Sequence, residues 1–241
     1  MDSAMRPLPH GLRATARLRA ACEAMRVYGL MSAMEAFVLG PEQFRAFRSM
    51  PAVEPMLLFP QEAEATSVLG RVFTHPSDIY AHLPTLYRIT LEGPRPRVLE
   101  LGTRSGESTL ALLLAAKEID GHVTSVDVNP CPEAESRVAE AGLAALWTFV
   151  MQGDLDLDWK DPIDHLFVDT SHRYGHTLEE LRKYEPFVVS GGVISLHDTT
   201  AHPPVWRAVE ENFRGRKDVR IFRYYRNNGF TVIEKSGIPH G

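Results

Sequence analysis

The chain has 241 residues, of which 44% are hydrophobic and 24% are charged, a composition typical of a globular protein with a sizeable core. This length suits one α/β domain with an additional element better than two full domains. The formal net charge of −5 argues against a nucleic-acid partner, because neutralising phosphates requires an excess of Lys and Arg. We therefore expect a small-molecule partner.

The cysteines and the N-terminal arginines indicate the compartment. Cys22 and Cys131 lie far apart in unlike sequence contexts, which favours free thiols in a reducing environment over a disulfide. The arginines between residues 6 and 19 interrupt the continuous apolar run that a signal peptide needs. No apolar stretch approaches the roughly 18 residues required to cross a membrane. The sequence thus predicts a cytoplasmic protein without a membrane partner.

The first part of the chain, residues 1–93, is predicted to be a helical extension. Apolar residues between positions 20 and 38 recur at spacings of three and four, which places them in one stripe along a helix. Such a stripe usually packs against the rest of the fold; a lid over a bound substrate and a homo-oligomer contact are the alternatives. A second helix is predicted over residues 78–91, with Ser77 as its cap.

From residue 94 to residue 241 the pattern changes to strands that alternate with helices, which predicts a parallel, doubly wound sheet. At the end of the chain two β-rich runs are joined by Asn-Gly, which predicts an antiparallel hairpin. The predicted strands are residues 97–101, 123–128, 147–151, 164–169, 193–197, 219–225 and 230–234, and the predicted helices are residues 108–119, 133–141 and 177–187.

A glycine loop between the first strand and the following helix predicts a ligand site. Glycines permit a tight turn and the close approach of a ligand to the backbone. Two acids flank this loop in the sequence: Glu100 at the end of the first strand, and Asp127 at the end of the second, where a carboxylate can accept hydrogen bonds from both hydroxyls of a ribose. The glycine spacing of the loop, with Gly102 and Gly106 four residues apart, differs from the Gly-x-Gly-x-x-Gly of dinucleotide sites. S-adenosylmethionine therefore fits better than a nicotinamide dinucleotide, which remains an alternative.

The segment of residues 100–106 resembles motif I of the class I S-adenosylmethionine-dependent methyltransferases. The resemblance covers residues 95–235 and implies the fold of that class: a Rossmann-like, doubly wound α/β domain with a mostly parallel seven-stranded sheet and a C-terminal antiparallel hairpin. It implies that Asp127 binds the ribose and that Asp154 lies beside the adenine. The implied cofactor-binding residues are Glu100, Gly102, Thr103, Arg104, Ser105, Gly106, Ser108, Asp127, Val128, Asp154 and Asp169.

Two carboxylates are predicted to meet beside this cofactor site. Asp169 ends the fourth predicted strand and Asp198 follows the fifth. Because open α/β sheets bind ligands at the carboxyl ends of their strands, both side chains are expected at one edge. Carboxylate oxygens suit a hard divalent cation such as Mg²⁺.

These two runs resemble the cation-dependent small-molecule O-methyltransferases, most closely the bacterial methyltransferase family 24. The resemblance implies a metal site at Asp169, Asp198 and Thr199, where Thr199 stands at a position that the catechol-type enzymes fill with asparagine. His197 or a water molecule is the alternative third ligand. His172 stands where the catechol-type enzymes have a lysine base, so His172, or else His197, is the implied catalytic base.

The sequence therefore predicts a metal-assisted O-methyltransferase that acts on a small-molecule hydroxyl of a sugar, polyol or phenol. Four other functions remain open: a metal-independent methyltransferase, a non-catalytic or hydroxylation-associated member of the same fold, an iron enzyme, and a nicotinamide-dependent enzyme. The iron site would use His172 and His176, which are spaced to share a helix face with a carboxylate nearby.

Overall fold

The structure is a computed structural model that describes residues 77–93, 97–225 and 227–236. The predicted helical stripe of residues 20–38, with its possible roles as a lid or an oligomer contact, lies outside the described residues. Among the described residues, no helix has the length and apolar character needed to span a membrane.

The described residues form a seven-stranded sheet with the order β3-β2-β1-β4-β5-β7-β6. The first five strands are parallel, and β7 runs antiparallel to both β5 and β6. This arrangement confirms the predicted doubly wound sheet and its terminal hairpin. The strands are β1 (Arg97–Leu101), β2 (His122–Asp127), β3 (Trp147–Met151), β4 (Ile163–Val168), β5 (Val188–His197), β6 (Val219–Tyr224) and β7 (Phe230–Lys235).

Five α-helices of the described residues cover the two faces of the sheet. The helices α1, α2 and α3 contribute to one apolar core, and α4 and α5 contribute to the other. Side chains of β1 alternate between these cores as a period of two requires, with Val98 in the first and Leu99 in the second. The helices are α1 (Leu83–Leu91), α2 (Glu107–Glu118), α3 (Pro132–Glu140), α4 (Tyr174–Tyr184) and α5 (Pro203–Phe213).

The predicted helical extension ends in α1, which packs into the first core. Leu83 and Leu86 of α1 are fully buried there together with residues of α2. The helix begins five residues later than predicted, after a 3-10 turn over Tyr80–His82. Its first turn contains Pro84, which is favourable there because the missing N–H has no helical partner at that position. Ser77 instead accepts a hydrogen bond from the N–H of Ile79 at 3.5 Å.

Two further elements begin three or more residues before their predicted starts. Strand β5 begins at Val188 and runs through the glycine pair 191–192, although two adjacent glycines are typical of a turn. A Cβ at Gly192 would lie 3.0 Å from the carbonyl oxygen of Asp164, so glycine permits the close pairing with β4 at this point. Helix α4 begins three residues earlier than predicted, at Tyr174, and therefore includes His176 in its first turn.

Candidate active site

The glycine loop is shaped by two glycines that have positive φ. Gly102 has φ +89° and Gly106, which precedes α2, has φ +80°. A Cβ at Gly102 would lie 2.0 Å from the carbonyl oxygen of Asp169, and one at Gly106 would lie 2.7 Å from the Cβ of Ala134. The loop can therefore rest against the ends of β4 and α3 only because neither position has a side chain.

Asp127 fixes the loop from the end of β2. Its Oδ2 accepts hydrogen bonds from the N–H groups of Thr103 at 3.0 Å and Arg104 at 3.2 Å, and its Oδ1 accepts one from the N–H of Asn129 at 2.9 Å. Burial acts to raise the pKa of Asp127, but these backbone donors outweigh it and hold the pKa below its ordinary value. Asp127 is thus an ionised acceptor at the edge of the sheet.

Two neighbouring cavities open along this edge. The first cavity, of about 380 Å³, is lined by Asp127, Val128, Asp154 and His176 among others. The second cavity, of about 290 Å³, is lined by polar side chains that include Asp78, Glu107, His172, Asp198 and His202. The residues shared by both cavities are Gly102, Thr103, Arg104, Asp169 and Thr170.

Most of the predicted cofactor residues line these cavities. Ser105 and Ser108 line the second cavity, whereas Glu100 and Gly106 line neither. The predicted residues that line the first cavity are Gly102, Thr103, Arg104, Asp127, Val128, Asp154 and Asp169.

Glu100, a predicted cofactor residue, lies beneath the glycine loop and lines neither cavity. It is fully buried and accepts hydrogen bonds from the hydroxyls of Ser108 at 2.6 Å, Thr109 at 2.7 Å and Ser125 at 2.5 Å. Burial raises the pKa of Glu100 to about 7, against the opposing effect of the three hydroxyl donors. Glu100 thus joins β1, β2 and α2 below the loop.

Glu100 makes the stability of the fold depend on pH. Because the pKa rises on folding from an ordinary 4.5 to about 7, its contribution to stability is complete below pH 4.5 and is lost as the pH rises through 7. We compare the free energy of unfolding of the wild type with that of Glu100→Gln. The difference between them should fall by a few kcal/mol from pH 4.5 to above pH 7, since each pKa unit corresponds to about 1.4 kcal/mol. Urea unfolding of both proteins at several pH values measures this difference; parallel stability curves would contradict it.

At the far end of the first cavity, Asp154 lies in a group of polar side chains from α4. Its Oδ2 accepts a hydrogen bond from Nε2 of His176 at 2.7 Å, and its backbone carbonyl accepts bonds from Lys183 at 3.2 Å and from the hydroxyl of Tyr184. Glu180 is fully buried next to this group and accepts a hydrogen bond from the hydroxyl of Thr170 at 2.6 Å. His176 lines the first cavity but is absent from the predicted cofactor residues, because the predicted helix begins only after it.

The predicted reaction centre forms a carboxylate–histidine cluster of Asp169, His172, His197 and Asp198. Nε2 of His172 lies 2.6 Å from Oδ2 of Asp198 and 4.0 Å from Oδ1 of Asp169. Nδ1 of His197 lies 3.3 Å from Oδ2 of Asp169 and 3.7 Å from Oδ2 of Asp198. The two runs of sequence that follow β4 and β5 therefore meet beside the first cavity.

His197 is held by its backbone surroundings. Its Nε2 donates to the carbonyl oxygens of Asp78 at 2.9 Å and Asn227 at 3.2 Å, which leaves Nδ1 facing the carboxylates. Burial acts to lower the pKa of His197, but Asp169 and Asp198 outweigh it and raise the pKa to about 9. The hydrogen bonds from His172 and His197 hold the pKa of Asp169 well below its usual range, although burial opposes them.

Asp198 has the features of a cation ligand. It is 4% exposed and has φ +60°, and its Oδ1 is buried without a hydrogen-bond partner among the described residues. An ionised oxygen left in this state is costly unless a cation or a proton satisfies it. Ligand atoms of Asp169, His197 and Asp198 all lie within 4.8 Å of one another, so these residues fit a divalent cation.

Thr199 does not join this group. It is fully buried, and its hydroxyl accepts a hydrogen bond from the hydroxyl of Thr231 on β7 at 3.0 Å. Its carbonyl oxygen accepts a bond from Arg223 at 2.9 Å, and it lines neither cavity. The geometry therefore favours His197 over Thr199 as the third protein ligand, because the chain turns Thr199 towards β6 and β7.

The histidines of the alternative iron site do not converge. His172 contacts Asp198, whereas Nε2 of His176 points to Asp154 and lies 3.6 Å from Glu180. Since His172 precedes the first turn of α4, it does not share a helix face with His176. A site built from His172 and His176 is therefore excluded by the fold.

A family of known proteins matches this part of the chain. Residues 99–199 match the model of a family described as a methyltransferase domain, the family 24 that the sequence resembles. The match begins in β1 and ends just after Asp198, so it includes the glycine loop and the carboxylate–histidine cluster. No curated protein matches the chain in sequence.

Solved structures share the fold at low sequence identity. The O-methyltransferase TomG of Streptomyces achromogenes, solved with S-adenosylmethionine, is 22% identical with a TM-score of 0.56, over 81% of this chain and 99% of TomG. An O-methyltransferase of Bacillus cereus in complex with S-adenosylhomocysteine is 17% identical with a TM-score of 0.55, over 75% of this chain and 94% of its own. The S-adenosylhomocysteine-bound methyltransferase PaMTH1 of Podospora anserina is 14% identical with a TM-score of 0.57, over 74% of this chain and 89% of its own. Residues 99–199 are therefore similar to a methyltransferase domain, and the chain shares the fold of these solved methyltransferases.

Proposed function

We propose that this protein transfers a methyl group from S-adenosylmethionine to a hydroxyl of a small molecule, with the assistance of a divalent cation. One observation carries the proposal: the two cavities share a wall at the glycine loop and Asp169, and the carboxylate–histidine cluster lies at that wall. The first cavity would hold the methyl donor and the second the acceptor. A donor and an acceptor that are held in adjacent cavities lie next to each other, and this positioning accounts for much of the rate of methyl transfer.

Within the first cavity, three residues would hold the donor. Asp127, already ionised and fixed by backbone donors, would accept both ribose hydroxyls. Asp154 would contact the adenine end, and the exposed side chain of Val128 offers an apolar surface next to it. Backbone N–H groups of the glycine loop near the start of α2 would face the methionine end.

His172 is the better candidate for the base that accepts the proton of the acceptor hydroxyl. Its side chain is 37% exposed and lines the second cavity. The side chain of His197 is 1% exposed and its Nε2 is engaged by two carbonyl oxygens, so it cannot reach an acceptor. As the hydroxyl oxygen forms its bond to the methyl carbon, the carbon–sulfur bond breaks and the proton passes to the ring nitrogen of His172 that does not donate to Asp198.

A cation would be held by Asp169, Asp198 and His197. When bound, a divalent cation supplies stabilisation of the negative charge on the acceptor oxygen. The second cavity supports the proposed acceptor class, because its polar lining and volume of about 290 Å³ suit a sugar, polyol or phenol. TomG, whose fold is shared, is an O-methyltransferase involved in tomaymycin synthesis, which is consistent with a natural-product type of acceptor.

Calorimetric titration of S-adenosylhomocysteine into the full-length protein tests the donor site. Asp127→Ala removes the ribose acceptors and should cost about 1.5–3 kcal/mol, which corresponds to a loss of affinity of roughly 10–150-fold. Asp158→Ala is the matched control, because this exposed acid lies outside both cavities and should leave the affinity unchanged. Equal affinity in the wild type and Asp127→Ala would overturn the proposed donor site. Repeating the titration with Mg²⁺ and then with a chelator tests whether a cation affects the binding.

A further inference from the structure

A second group of possible metal ligands lies next to the proposed cation site. Ligand atoms of His172, Asp198 and His202 all lie within 4.8 Å of one another. The rings of His172 and His202 are stacked, with centroids 3.8 Å apart and an interplanar angle of 19°. Two imidazoles and one carboxylate thus converge at the rim of the second cavity.

This group has two imidazoles and one carboxylate, whereas the proposed cation site has one imidazole and two carboxylates. A hard ion such as Mg²⁺ prefers oxygen ligands, whereas imidazole nitrogen suits zinc and other transition metals. Zinc commonly takes three protein ligands of this type and leaves its fourth position to water or another ligand. The set of His172, Asp198 and His202 therefore favours a transition metal.

Asp198 can serve this site because one of its oxygens has no protein partner. Its Oδ2 lies 2.6 Å from Nε2 of His172, whereas its buried Oδ1 has no hydrogen-bond partner among the described residues. A buried, unpartnered carboxylate oxygen next to two imidazoles is a place where a cation is stabilising. The backbone also holds His202 close to Asp198. The N–H of His202, which directly precedes α5, donates a hydrogen bond to the carbonyl oxygen of Asp198 at 2.9 Å.

We propose that His172, Asp198 and His202 form a binding site for a transition-metal ion of the zinc type, distinct from the site of Asp169, His197 and Asp198. An ion bound there coordinates the imidazole of His172 and removes this side chain from proton transfer. Zinc or cobalt would therefore inhibit the methyltransferase, and this consequence rests on the proposed role of His172 as the base. The binding itself depends only on the three ligands.

Binding of Co²⁺ to the full-length protein in excess Mg²⁺ tests the site, measured by calorimetry and by the visible absorption of the bound ion. His202→Asn should weaken Co²⁺ binding by about 100-fold or more, since even loss of a residue that only supports a ligand costs about 10–100-fold. Asparagine is a favourable residue before a helix, so the variant keeps the start of α5. His122→Asn, at an exposed histidine at the start of β2, should leave Co²⁺ binding unchanged.

Two further results separate this site from the neighbouring one. Asp169→Asn should leave Co²⁺ binding within a fewfold of wild type, because Asp169 belongs to the other ligand set. Binding that is lost in Asp169→Asn but kept in His202→Asn would overturn the proposal and place Co²⁺ in the proposed cation site. S-adenosylhomocysteine affinity should be unchanged in His202→Asn, since His202 does not line the first cavity. Failure of the proposed donor site would be seen separately, as an unchanged affinity of Asp127→Ala for S-adenosylhomocysteine.

Discussion

Gly102→Ala should destabilise the protein by at least about 3 kcal/mol and abolish measurable binding of S-adenosylhomocysteine. An added Cβ would lie 2.0 Å from the carbonyl oxygen of Asp169, and the residue has φ +89°, which side chains disfavour. Relief of this contact requires the loop to move away from the end of β4, and an overpacked core position alone costs roughly 1–3 kcal/mol. Urea unfolding followed by circular dichroism gives the stability, and calorimetry gives the affinity.

Gly142→Ala is the matched control for backbone strain. Gly142 also has positive φ, at +69°, but an added Cβ there would meet no atom within 4 Å. This variant should lose only about 1–2 kcal/mol, the cost of a left-handed conformation for a residue with a side chain, and should bind S-adenosylhomocysteine normally. If both variants lose the same stability, the contact between the loop and Asp169 does not determine the fold of the site.

His172→Asn should reduce the rate of methyl transfer by about 10²–10⁴-fold, the usual contribution of a positioned general base. His172 lines the second cavity and not the first, so the affinity for S-adenosylhomocysteine should remain within about twofold of wild type. The measurement is transfer of radiolabelled methyl groups from S-adenosylmethionine to a panel of phenols, polyols and sugars, at saturating donor.

The control is His122→Asn, because His122 is exposed at the start of β2, far along the strand from the active edge. It should retain the wild-type rate. A His172→Asn variant as fast as wild type would show that another group accepts the proton, and a loss of rate that follows a loss of donor affinity would assign His172 to binding.

Much of the fold could be predicted because its determinants are local. Strands β1 and β3 have the predicted bounds, since short apolar runs next to turn residues specify strands without help from distant residues. The terminal hairpin is predicted from Asn228-Gly229, and both residues have the positive φ that this dipeptide favours, at +66° and +90°. Strand β5 was predicted five residues short, because its glycine pair is compatible with a strand only when β4 lies beside it.

The site was predicted in part for the same reason. Asp169 and Asp198 follow neighbouring strands, and the topology of a parallel sheet brings such positions to one edge. Thr199 could not be excluded from sequence, because adjacent residues can face opposite sides and only packing against Thr231 decides which way it turns.

The sequence by itself determined the alternation of strands and helices, the glycine loop and the order of the acids along the chain, because these depend on near neighbours. Only the tertiary structure decided that Glu100 lies under the loop, bonded to hydroxyls from two other elements. It likewise decided that His197 is fixed by carbonyl oxygens of Asp78 and Asn227, which are remote in sequence. A side chain's partners depend on which segments pack against it, and this is a property of the folded chain as a whole.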